Sequence, residues 1–371
     1  MTVRPYRLAI GHDDNTAGCL IDRSRPIVFQ FDGTAYYGFA GDTLASALLA
    51  NGVRVMGRSF KFHRPRSCIS AGPEEPNAMV TTGFGGQMAP NERATMVELH
   101  DGLVARSQNR WPNLAFDAGQ LSGFASRLLP AGFQHKTFKW PAALWPVYER
   151  AIRRAAGLGP APQNEDTDHY EHINIACDVL VAGGGVAGIA AARAAMEAGA
   201  RVVIAELTSR FGGQSDLFDA TIDDAPTRDW VAENVAALSA SDRVHVLART
   251  CVSGLYDHNF ALLIERLGDH RSGELRPDGL PRERLWKVRA KEIVVAAGAV
   301  ERSLVFANND RPGVMLGSAM RAYARRYSVA PGATGVIFAN NDDGYRTARD
   351  LHDLGIEIAR VVDIRREPQG P

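Results

Sequence analysis

The chain contains 371 residues, and its 42 lysine and arginine residues equal its 42 aspartate and glutamate residues, so the formal net charge is zero. This length allows two or three domains, and the balanced charge disfavours nucleic acid or a membrane surface as a partner. Four widely spaced cysteines, an N-terminus without the apolar core of a signal peptide and the lack of an apolar run of membrane-spanning length lead us to expect a cytoplasmic protein.

The first hundred residues predict a small β-rich domain. Residues 27–31 predict a strand, residues 32–33 a turn into a second strand, and residues 44–50 a short helix. Asp42 is the acidic N-cap candidate of this helix, and Gly52 is the residue that stops it. Strand, hairpin, strand and helix in this order are typical of a β-grasp, ferredoxin-like fold.

The loop after this helix lacks the ligands of an iron–sulfur cluster. Plant-type clusters in this fold need cysteines at the spacing C-x4-C-x2-C. Here Cys68 stands alone, and the positions five and eight residues after it are Pro73 and Pro76. One thiolate cannot hold a cluster, so we predict the ferredoxin-like scaffold without its cofactor.

Two further segments precede the most informative pattern. In residues 58–66, five of nine side chains can be positive, which favours a solvated loop, with an anion or partner contact as the alternative. Residues 101–170 are less periodic and predict a connecting segment. Its aromatic part, residues 140–150, predicts a buried stretch running into a short helix, and residues 160–168 predict a linker.

A dinucleotide pattern begins at residue 178. The apolar residues 179–182 predict a buried strand, which leads directly into the glycine-rich segment 183–188 and an alanine-rich helix. A second strand at residues 201–205 ends at Glu206, 23 residues after the first glycine. Together these elements predict a dinucleotide site, and an α/β turn that merely needs glycine is the alternative.

Each residue of the pattern has its own role in such a site. Gly183 makes the tight turn, Gly185 lets the pyrophosphate approach the backbone, and Gly188 lets helix and strand pack closely. Glu206 accepts a hydrogen bond from a ribose hydroxyl. We expect the second glycine pair, residues 212–213, to bring the backbone against the cofactor again.

Strand patterns continue after this site. Four short strands are predicted at residues 244–247, 251–256, 260–264 and 285–288. This antiparallel run fits the three-stranded β-meander that flavoprotein-type folds place before their last parallel strand. Residues 292–297 predict the last parallel strand, which ends in a small-residue turn against the cofactor at Gly298.

Residues 335–362 predict a strand, a helix and a strand, the start of a second α/β domain. Its phosphate-turn position, residues 340–344, holds the carboxylates of Asp342 and Asp343, which would repel a pyrophosphate, so we expect no second dinucleotide. Two strands do not make a stable doubly wound sheet. We therefore expect a truncated product, a partial gene model or one piece of a split subunit.

Several segments of the chain resemble the α subunit of heterotetrameric sarcosine oxidase. They lie at residues 41–50, 58–66, 182–188, 297–302, 309–316 and 340–346. The resemblance extends over essentially the whole chain. Its specific parts are the basic segment 58–66 and the segment 301–316, because the glycine motif by itself would fit many families.

The resemblance implies oxidative demethylation of sarcosine to glycine, with hydrogen peroxide formed from oxygen and the one-carbon unit passed to tetrahydrofolate. It implies partner β, γ and δ subunits, with FAD and a covalent FMN mainly in the β subunit and NAD in the α subunit. The glycine pattern and Glu206 alone favour FAD. We predict NAD, in a largely structural role, because the family signature is more specific.

The family's cofactor contacts can be carried over residue by residue. The matching positions are Gly183, Gly185, Val186, Ala187 and Gly188 at the pyrophosphate, Glu206 with Ala205 and Leu207 at the adenosine ribose, Val252 at the adenine end, and Gly213, Gln214 and Gly298 along the cofactor. Ala205 stands where the family often has a second acid, so one ribose hydroxyl lacks the carboxylate partner that it has in those relatives. No catalytic residue and no metal ligand is predicted.

The predicted organisation is an α/β chain with a Rossmann-like domain preceded by a β-grasp domain without a cluster. The predicted parts are residues 1–100 (β-grasp domain), 101–170 (connecting segment and linker), 171–310 (dinucleotide-binding domain) and 311–371 (incomplete second Rossmann-like domain). Two alternatives stay open: the α-type subunit of a related FAD-dependent amine, opine or proline dehydrogenase, and a non-catalytic scaffold for a flavoprotein subunit. The missing cluster cysteines argue against the first alternative, and we expect the isolated chain to be inactive.

Overall fold

The structure, a computed structural model, describes residues 6–8, 18–123, 140–155, 157–271, 277, 279–330 and 332–367. The chain forms two compact units, Met1–Asp166 with Glu301–Pro371, and Thr167–Val300. Within the described residues, no helix has both the length and the apolar content that crossing a membrane requires.

The described strands and helices follow one another along the chain in a mixed order. They are β1 (Asp22–Phe31), β2 (Thr34–Ala40), α1 (Leu44–Ala50), β3 (Gly57–Arg58), β4 (Pro65–Arg66), β5 (Met79–Thr82), β6 (Ala89–Arg93), β7 (Val104–Ser107), α2 (Trp145–Ala155), β8 (Tyr170–Ala182), α3 (Val186–Glu197), β9 (Val202–Ala205), β10 (Thr221–Ile222), β11 (Ala225–Pro226), α4 (Thr227–Ser239), β12 (Val244–Leu247), β13 (Thr250–Tyr256), β14 (Phe260–Arg266), β15 (Glu283–Val295), α5 (Gly317–Tyr327), β16 (Thr334–Ala339), α6 (Asp343–Asp353) and β17 (Glu357–Asp363). Short 3-10 helices lie at Gly85–Gln87, Ala118–Gly123, Ala142–Leu144, Ser215–Leu217 and Asp257–Asn259.

The first unit contains a five-stranded mixed sheet in the order β2-β1-β7-β5-β6. The central pair β1 and β7 is parallel, whereas β1–β2, β5–β7 and β5–β6 are antiparallel. Helix α1 is buried along its whole length. A parallel central pair flanked by hairpins, with a buried helix, is the predicted β-grasp, ferredoxin-like arrangement.

The N-cap of α1 differs from the prediction. The Thr43 hydroxyl accepts a hydrogen bond from the Ser46 amide at 3.2 Å, and the Ser46 hydroxyl accepts one from the Thr43 amide at 2.9 Å. This is a capping box. The predicted cap, Asp42, lies one residue too early, and its buried carboxylate instead binds the Arg7 guanidinium at 2.8 Å.

The core of the first unit joins distant parts of the chain. Phe29, Leu44 and Leu48 are fully buried there, and they share one hydrophobic cluster with Tyr323 and Val329. Each buried large apolar side chain contributes roughly 1.5–3 kcal/mol. Residues after 301 therefore help to hold the N-terminal strands together, while the boundaries predicted at residues 100, 170 and 310 stay predictions.

The predicted strand, helix and strand near the C-terminus are present in the first unit. Strands β16 and β17 are parallel, with α6 between them in sequence. A Cβ atom built at Gly344 would lie 2.3 Å from the Ala339 Cβ atom, so this glycine permits the close turn from β16 into α6.

The aromatic segment around α2 was predicted to be buried, and this prediction was wrong. Trp140 is 83% exposed and Trp145 is 51% exposed. Apolar side chains indicate burial only where another surface covers them. No hydrophobic cluster of the described residues includes this segment.

The second unit is built on a six-stranded sheet in the order β12-β9-β8-β15-β14-β13. Strands β12, β9, β8 and β15 are parallel neighbours, and β15, β14 and β13 are antiparallel neighbours. Helix α3 joins β8 to β9, and α4 lies between β9 and β12 in the chain. This is a Rossmann-like order, in which ligands bind at the carboxyl ends of the parallel strands.

Strand β15 joins two strands that were predicted separately at residues 285–288 and 292–297. Its pairing with β14 extends as far as Arg289, and its pairing with β8 extends as far as Val295. The residues between the two predicted strands are Arg289, Ala290 and Lys291, which include no glycine or proline to end a strand. The meander and the parallel sheet are therefore one continuous sheet.

Candidate functional site

The turn from β8 into α3 requires glycine at its first position. Gly183 has φ +113°, a conformation that side chains disfavour. A Cβ atom built there would lie 2.3 Å from the Ala296 carbonyl oxygen. The Gly183 amide also donates to the Ala205 carbonyl oxygen at 2.9 Å. Contact on both sides holds this turn against the ends of the neighbouring strands.

The start of α3 is open at the position predicted to meet a pyrophosphate. Gly185 is the N-cap residue, and no side chain caps the amides of the first turn. A Cβ atom built at Gly185 would meet no atom within 4 Å, so the space in front of its Cα atom is free. The first-turn residues Val186 and Ala187 follow directly. Free amides and the positive end of a helix dipole make such a helix start a binding site for phosphate.

The third glycine of the motif packs α3 against the turn. A Cβ atom built at Gly188 would lie 1.9 Å from the Gly183 carbonyl oxygen. No side chain fits at that distance. The helix therefore approaches the strand end closely enough to aim its N-terminus at the carboxyl edge of the sheet.

The acid at the end of β9 is fixed by hydrogen bonds. Glu206 is only 8% exposed. Its Oε2 atom accepts from the Gly184 amide at 2.8 Å, and its Oε1 atom accepts from the Thr208 amide and the Thr208 hydroxyl, each at 2.9 Å. An ionised carboxylate offers about four acceptor sites, so about one site, on Oε2, remains for a ribose hydroxyl.

The second glycine pair lies against the first. The Gly212 amide donates to the Gly184 carbonyl oxygen at 2.7 Å, and Gly212 also bridges to Gly185. A Cβ atom built at Gly213, which has φ +61°, would lie 3.2 Å from the Gly185 Cα atom. Gln214 follows as the N-cap of a 3-10 helix. The structure thus brings both glycine segments to one place.

The remaining predicted residues lie beside Glu206, on β13 and after the end of β15. Ala205 is buried beside Glu206, and Leu207 is half-buried on its other side. Val252 lies on β13, where it packs against the core of the second unit, and the nearby Thr250 amide reaches the Glu206 carbonyl oxygen at 2.7 Å. Gly298 follows β15 with φ +71° and open space around it.

Sequence reasoning missed two residues of the site. Thr208 holds one oxygen of Glu206, and its signal was available, because a threonine two residues after an acid is a local hydrogen-bonding pattern. Phe211 covers Gly184, whose built Cβ atom would lie 2.4 Å from the phenyl ring. No sequence pattern indicated this second contact.

The arrangement can hold an anion and a sugar hydroxyl, and it offers no reactive group. The helix start accepts phosphate, and Glu206 accepts a hydroxyl. Within the described ranges, no group of three or more histidine, cysteine, aspartate or glutamate residues could hold a metal ion. The glycine turns, the open helix start and the fixed carboxylate have the geometry of a dinucleotide-binding site.

Two sequence families match the chain. Residues 178–261 match the family described as FAD dependent oxidoreductase, and residues 24–110 match the 2Fe-2S iron-sulfur cluster binding domain. Fold and site together therefore define a ferredoxin-like domain followed by a Rossmann-like domain of the FAD-dependent oxidoreductase class.

The most informative relatives are named sarcosine oxidase subunit alpha. The protein of Rhizobium meliloti (strain 1021) is 51% identical over 347 residues, which are 93% of this chain and 35% of the relative. The protein of Corynebacterium sp. (strain U-96) is 35% identical over 98% of this chain and 33% of the relative. The chain belongs among the homologues of this subunit, and it spans about a third of the length of the curated relatives it matches.

A solved structure agrees on the fold. The L-proline dehydrogenase of P. horikoshii superposes with a TM-score of 0.61 over 98% of this chain and 56% of that chain, at 19% sequence identity. At this identity the likeness concerns the fold alone. It supports the β-grasp and Rossmann-like assignment of the two sheets.

The residues present do not fit the cluster that the name of the 2Fe-2S iron-sulfur cluster binding domain implies. Cys68 is the one cysteine of residues 24–110, and it is fully buried. Burial raises the pKa of its thiol to about 12, and the nearby Tyr323 hydroxyl lies 3.4 Å from its sulfur. Four cysteine thiolates hold a ferredoxin-type [2Fe–2S] cluster. The single cysteine of residues 24–110 therefore cannot hold such a cluster.

Proposed function

We propose that the chain is the N-terminal part of a sarcosine oxidase alpha subunit and that its second unit binds NAD. The observation that carries dinucleotide binding is the fixed Glu206 carboxylate beside the open start of α3. A carboxylate at the end of the second strand accepts a ribose hydroxyl, and the helix start binds pyrophosphate. NAD and FAD both contain these two groups, and the homology to sarcosine oxidase alpha subunits is what favours NAD.

Each predicted residue then has a defined task. The amides of Val186, Ala187 and Gly188 bind the pyrophosphate, and Gly185 leaves room for it. Glu206 binds the adenosine ribose, with Ala205 and Leu207 beside it, and Val252 contacts the adenine end. Gly213, Gln214 and Gly298 lie along the cofactor. NAD supplies no hydride transfer in this proposal, and its binding stabilises the second unit.

FAD is the other candidate occupant of the same site. It shares the adenosine ribose and the pyrophosphate with NAD, and the match to the FAD-dependent oxidoreductase family favours it. The homology to sarcosine oxidase alpha subunits over 93% of the chain favours NAD. We therefore place FAD and FMN in the partner β subunit.

The activity of the whole protein is part of the same proposal. The complex, which includes β, γ and δ subunits, oxidatively demethylates sarcosine, forms hydrogen peroxide and transfers the one-carbon unit to tetrahydrofolate. This is oxidoreductase chemistry on a CH–NH donor, and this chain alone is inactive. The wide spacing of the four cysteines favours a reducing compartment, the cytoplasm.

The first experiment identifies the nucleotide that heat releases from the purified chain, by mass and absorbance. Colourless protein that releases NAD supports the proposal. Yellow protein that releases FAD contradicts the NAD assignment and favours a flavoprotein dehydrogenase subunit. A folded chain that neither contains nor binds either nucleotide contradicts dinucleotide binding altogether.

A matched pair of variants tests the role of the acid. Glu206→Gln should weaken nucleotide binding about tenfold, because its amide nitrogen turns a donor toward the donors of Gly184 or Thr208. Glu233→Gln changes an exposed acid on α4 of the same unit and should bind as the unaltered chain does. Adding a β-type subunit and measuring peroxide from sarcosine then tests the activity itself.

A further inference from the structure

The loop that precedes β5 in the first unit is organised around a carboxylate. Residues 67–78 correspond in position to the loop that carries the cluster in iron–sulfur ferredoxin-like domains, and Cys68 lies at its start. Glu75 lies near its end and is only 1% exposed. Acidic side chains are almost never buried to this degree without partners.

The partners of Glu75 are backbone amides from both arms of the loop, together with the Ser70 hydroxyl at 3.4 Å. Its Oε2 atom accepts from the amides of Ile69 at 2.7 Å and Ser70 at 2.9 Å. Its Oε1 atom accepts from the amides of Asn77 at 2.7 Å and Ala78 at 3.1 Å. Among the described residues, no basic side chain lies within ion-pair distance of this carboxylate. Inward-pointing amides therefore balance its charge.

Contacts from outside close the loop around this carboxylate. The Thr95 hydroxyl donates to the Gly72 carbonyl oxygen at 2.7 Å, and the Tyr323 hydroxyl donates to the Ser70 carbonyl oxygen at 2.9 Å. The Leu316 amide donates to the Ile69 carbonyl oxygen at 2.8 Å. The loop thus directs amides inward and carbonyl oxygens outward, which is the polarity of an anion-binding concavity.

We propose that the Glu75 carboxylate replaces an iron–sulfur cluster as the anion around which this loop folds. Concavities lined by backbone amides bind phosphates and iron–sulfur clusters, because both are anions. In this chain the anion belongs to the loop itself. The ferredoxin-like domain therefore folds without iron, and it holds no carrier through which electrons could pass. This inference is independent of the nucleotide bound by the second unit.

Chemical rescue tests whether an anion is what the loop needs. Glu75→Ala removes a group equivalent to acetate, and in the full chain it should lower the thermal unfolding midpoint of the first unit by about 10 °C, because several buried amides lose their acceptor. Added sodium acetate should recover part of this loss, whereas equal sodium chloride should not. Sodium acetate and sodium chloride should have equal effects on the unfolding midpoint of the unaltered chain.

Two companion variants sharpen the result. Glu75→Gln keeps the shape but removes the charge, and it should also unfold at a lower temperature. Glu74→Ala changes the exposed neighbouring acid and should unfold as the unaltered chain does. An unchanged midpoint in Glu75→Gln, or equal effects of acetate and chloride on Glu75→Ala, overturns the proposal.

A measurement on the unaltered full chain remains decisive if Glu75→Ala and Glu75→Gln do not fold. After anaerobic incubation with ferrous iron and sulfide, followed by gel filtration, the chain should retain only traces of iron and acid-labile sulfide. Stoichiometric iron and sulfide with a visible absorption band that Cys68→Ala abolishes would show that the loop holds a cluster, and the proposal would be wrong.

Discussion

The Thr208 hydroxyl donates to the Oε1 atom of Glu206 at 2.9 Å, and the Thr208 amide reaches the same oxygen at the same distance. The amide holds this oxygen, and the hydroxyl, whose single hydrogen also has the Arg210 carbonyl oxygen at 2.9 Å, adds a second donor that helps to fix the rotation of the carboxylate. The Oε2 atom therefore has a defined direction for its remaining acceptor site. Thr208 is a positioning residue for the acid, because it acts on the nucleotide through Glu206.

This relationship predicts the effect of Thr208→Val, which keeps the shape of the side chain but removes its hydroxyl. We expect nucleotide affinity to fall about fivefold, which corresponds to roughly 1 kcal/mol for one lost hydrogen bond. Isothermal titration calorimetry measures the Kd directly. Thr221→Val, at an exposed position on β10, is the control, and equal affinities of the two variants would contradict the positioning role.

Two glycines of the same motif predict opposite phenotypes. Gly188→Ala places a methyl group 1.9 Å from a backbone oxygen and should destabilise the second unit by roughly 3 kcal/mol or more. Gly185→Ala places its methyl group in open space at φ −72° and should fold normally, yet it should lose nucleotide binding because that space is where the pyrophosphate fits. Thermal unfolding and equilibrium binding separate the two effects. Normal nucleotide binding by Gly185→Ala would refute this use of the space.

A buried ion cluster between α5 and α6 gives a prediction about stability. Asp350 binds Arg321 at 2.8 Å and Arg325 at 3.4 Å, and both guanidinium groups are buried. Asp350→Asn removes the carboxylate that these two buried guanidinium groups share, while Arg321 keeps its ion pair with Asp343 at 3.0 Å, and should cost about 2 kcal/mol. Asp353→Asn, on an exposed side chain of the same helix, should cost under about 0.5 kcal/mol. Urea unfolding curves provide the comparison, and similar curves for the two variants would contradict the prediction.

The carboxylate of Asp363, at the end of β17, should make the stability of the fold depend on pH. Hydrogen bonds from the Arg365 side chain lower the pKa of Asp363 from 3.8 to about 2. Because this folded-state pKa lies below the unfolded value, ionised Asp363 stabilises the fold above about pH 4. That contribution is lost as the pH falls toward 2. Arg365→Gln should raise the pKa of Asp363 toward its ordinary value and shift acid unfolding to higher pH.

Carboxyl carbon chemical shifts, followed as a function of pH, report the Asp363 titration. Arg366→Gln removes the neighbouring exposed arginine and serves as the control. It should leave the titration of Asp363 near that of the unaltered chain. A shift of the same size in both variants would mean that general charge, and not the hydrogen bonds of Arg365, lowers this pKa.

The parts of the fold that depend on neighbouring residues could be predicted from the sequence. The strand, the glycines and the helix around Gly183 follow from local periodicity, and so does the acid that ends β9. The N-cap of α1 could not be assigned from residue type alone, since Asp42 and Thr43 are adjacent and both are good N-cap residues. The exact first residue of the helix decides between them. The continuity of β15 could also have been predicted, because no glycine or proline near Ala290 ends the strand.

Contacts between distant residues could not be predicted in the same way. Tyr323 and Cys68 are 255 residues apart, yet their side chains lie 3.4 Å apart in one core. The role of Glu75 depends on four amides that no residue pattern identifies. Trp140 shows the opposite error, because its apolar ring suggested a burial that requires a covering surface.

The division of the chain has a consequence for its biosynthesis. The first unit needs Tyr323 and Val329 for its core, but a ribosome delivers them only after the whole of residues 167–300 has been made. The second unit is continuous, so it can fold as soon as it emerges, before the domain that precedes it in sequence is complete. Until then the core around Phe29 lacks the side chains of Tyr323 and Val329, and exposed apolar surface of this kind favours aggregation.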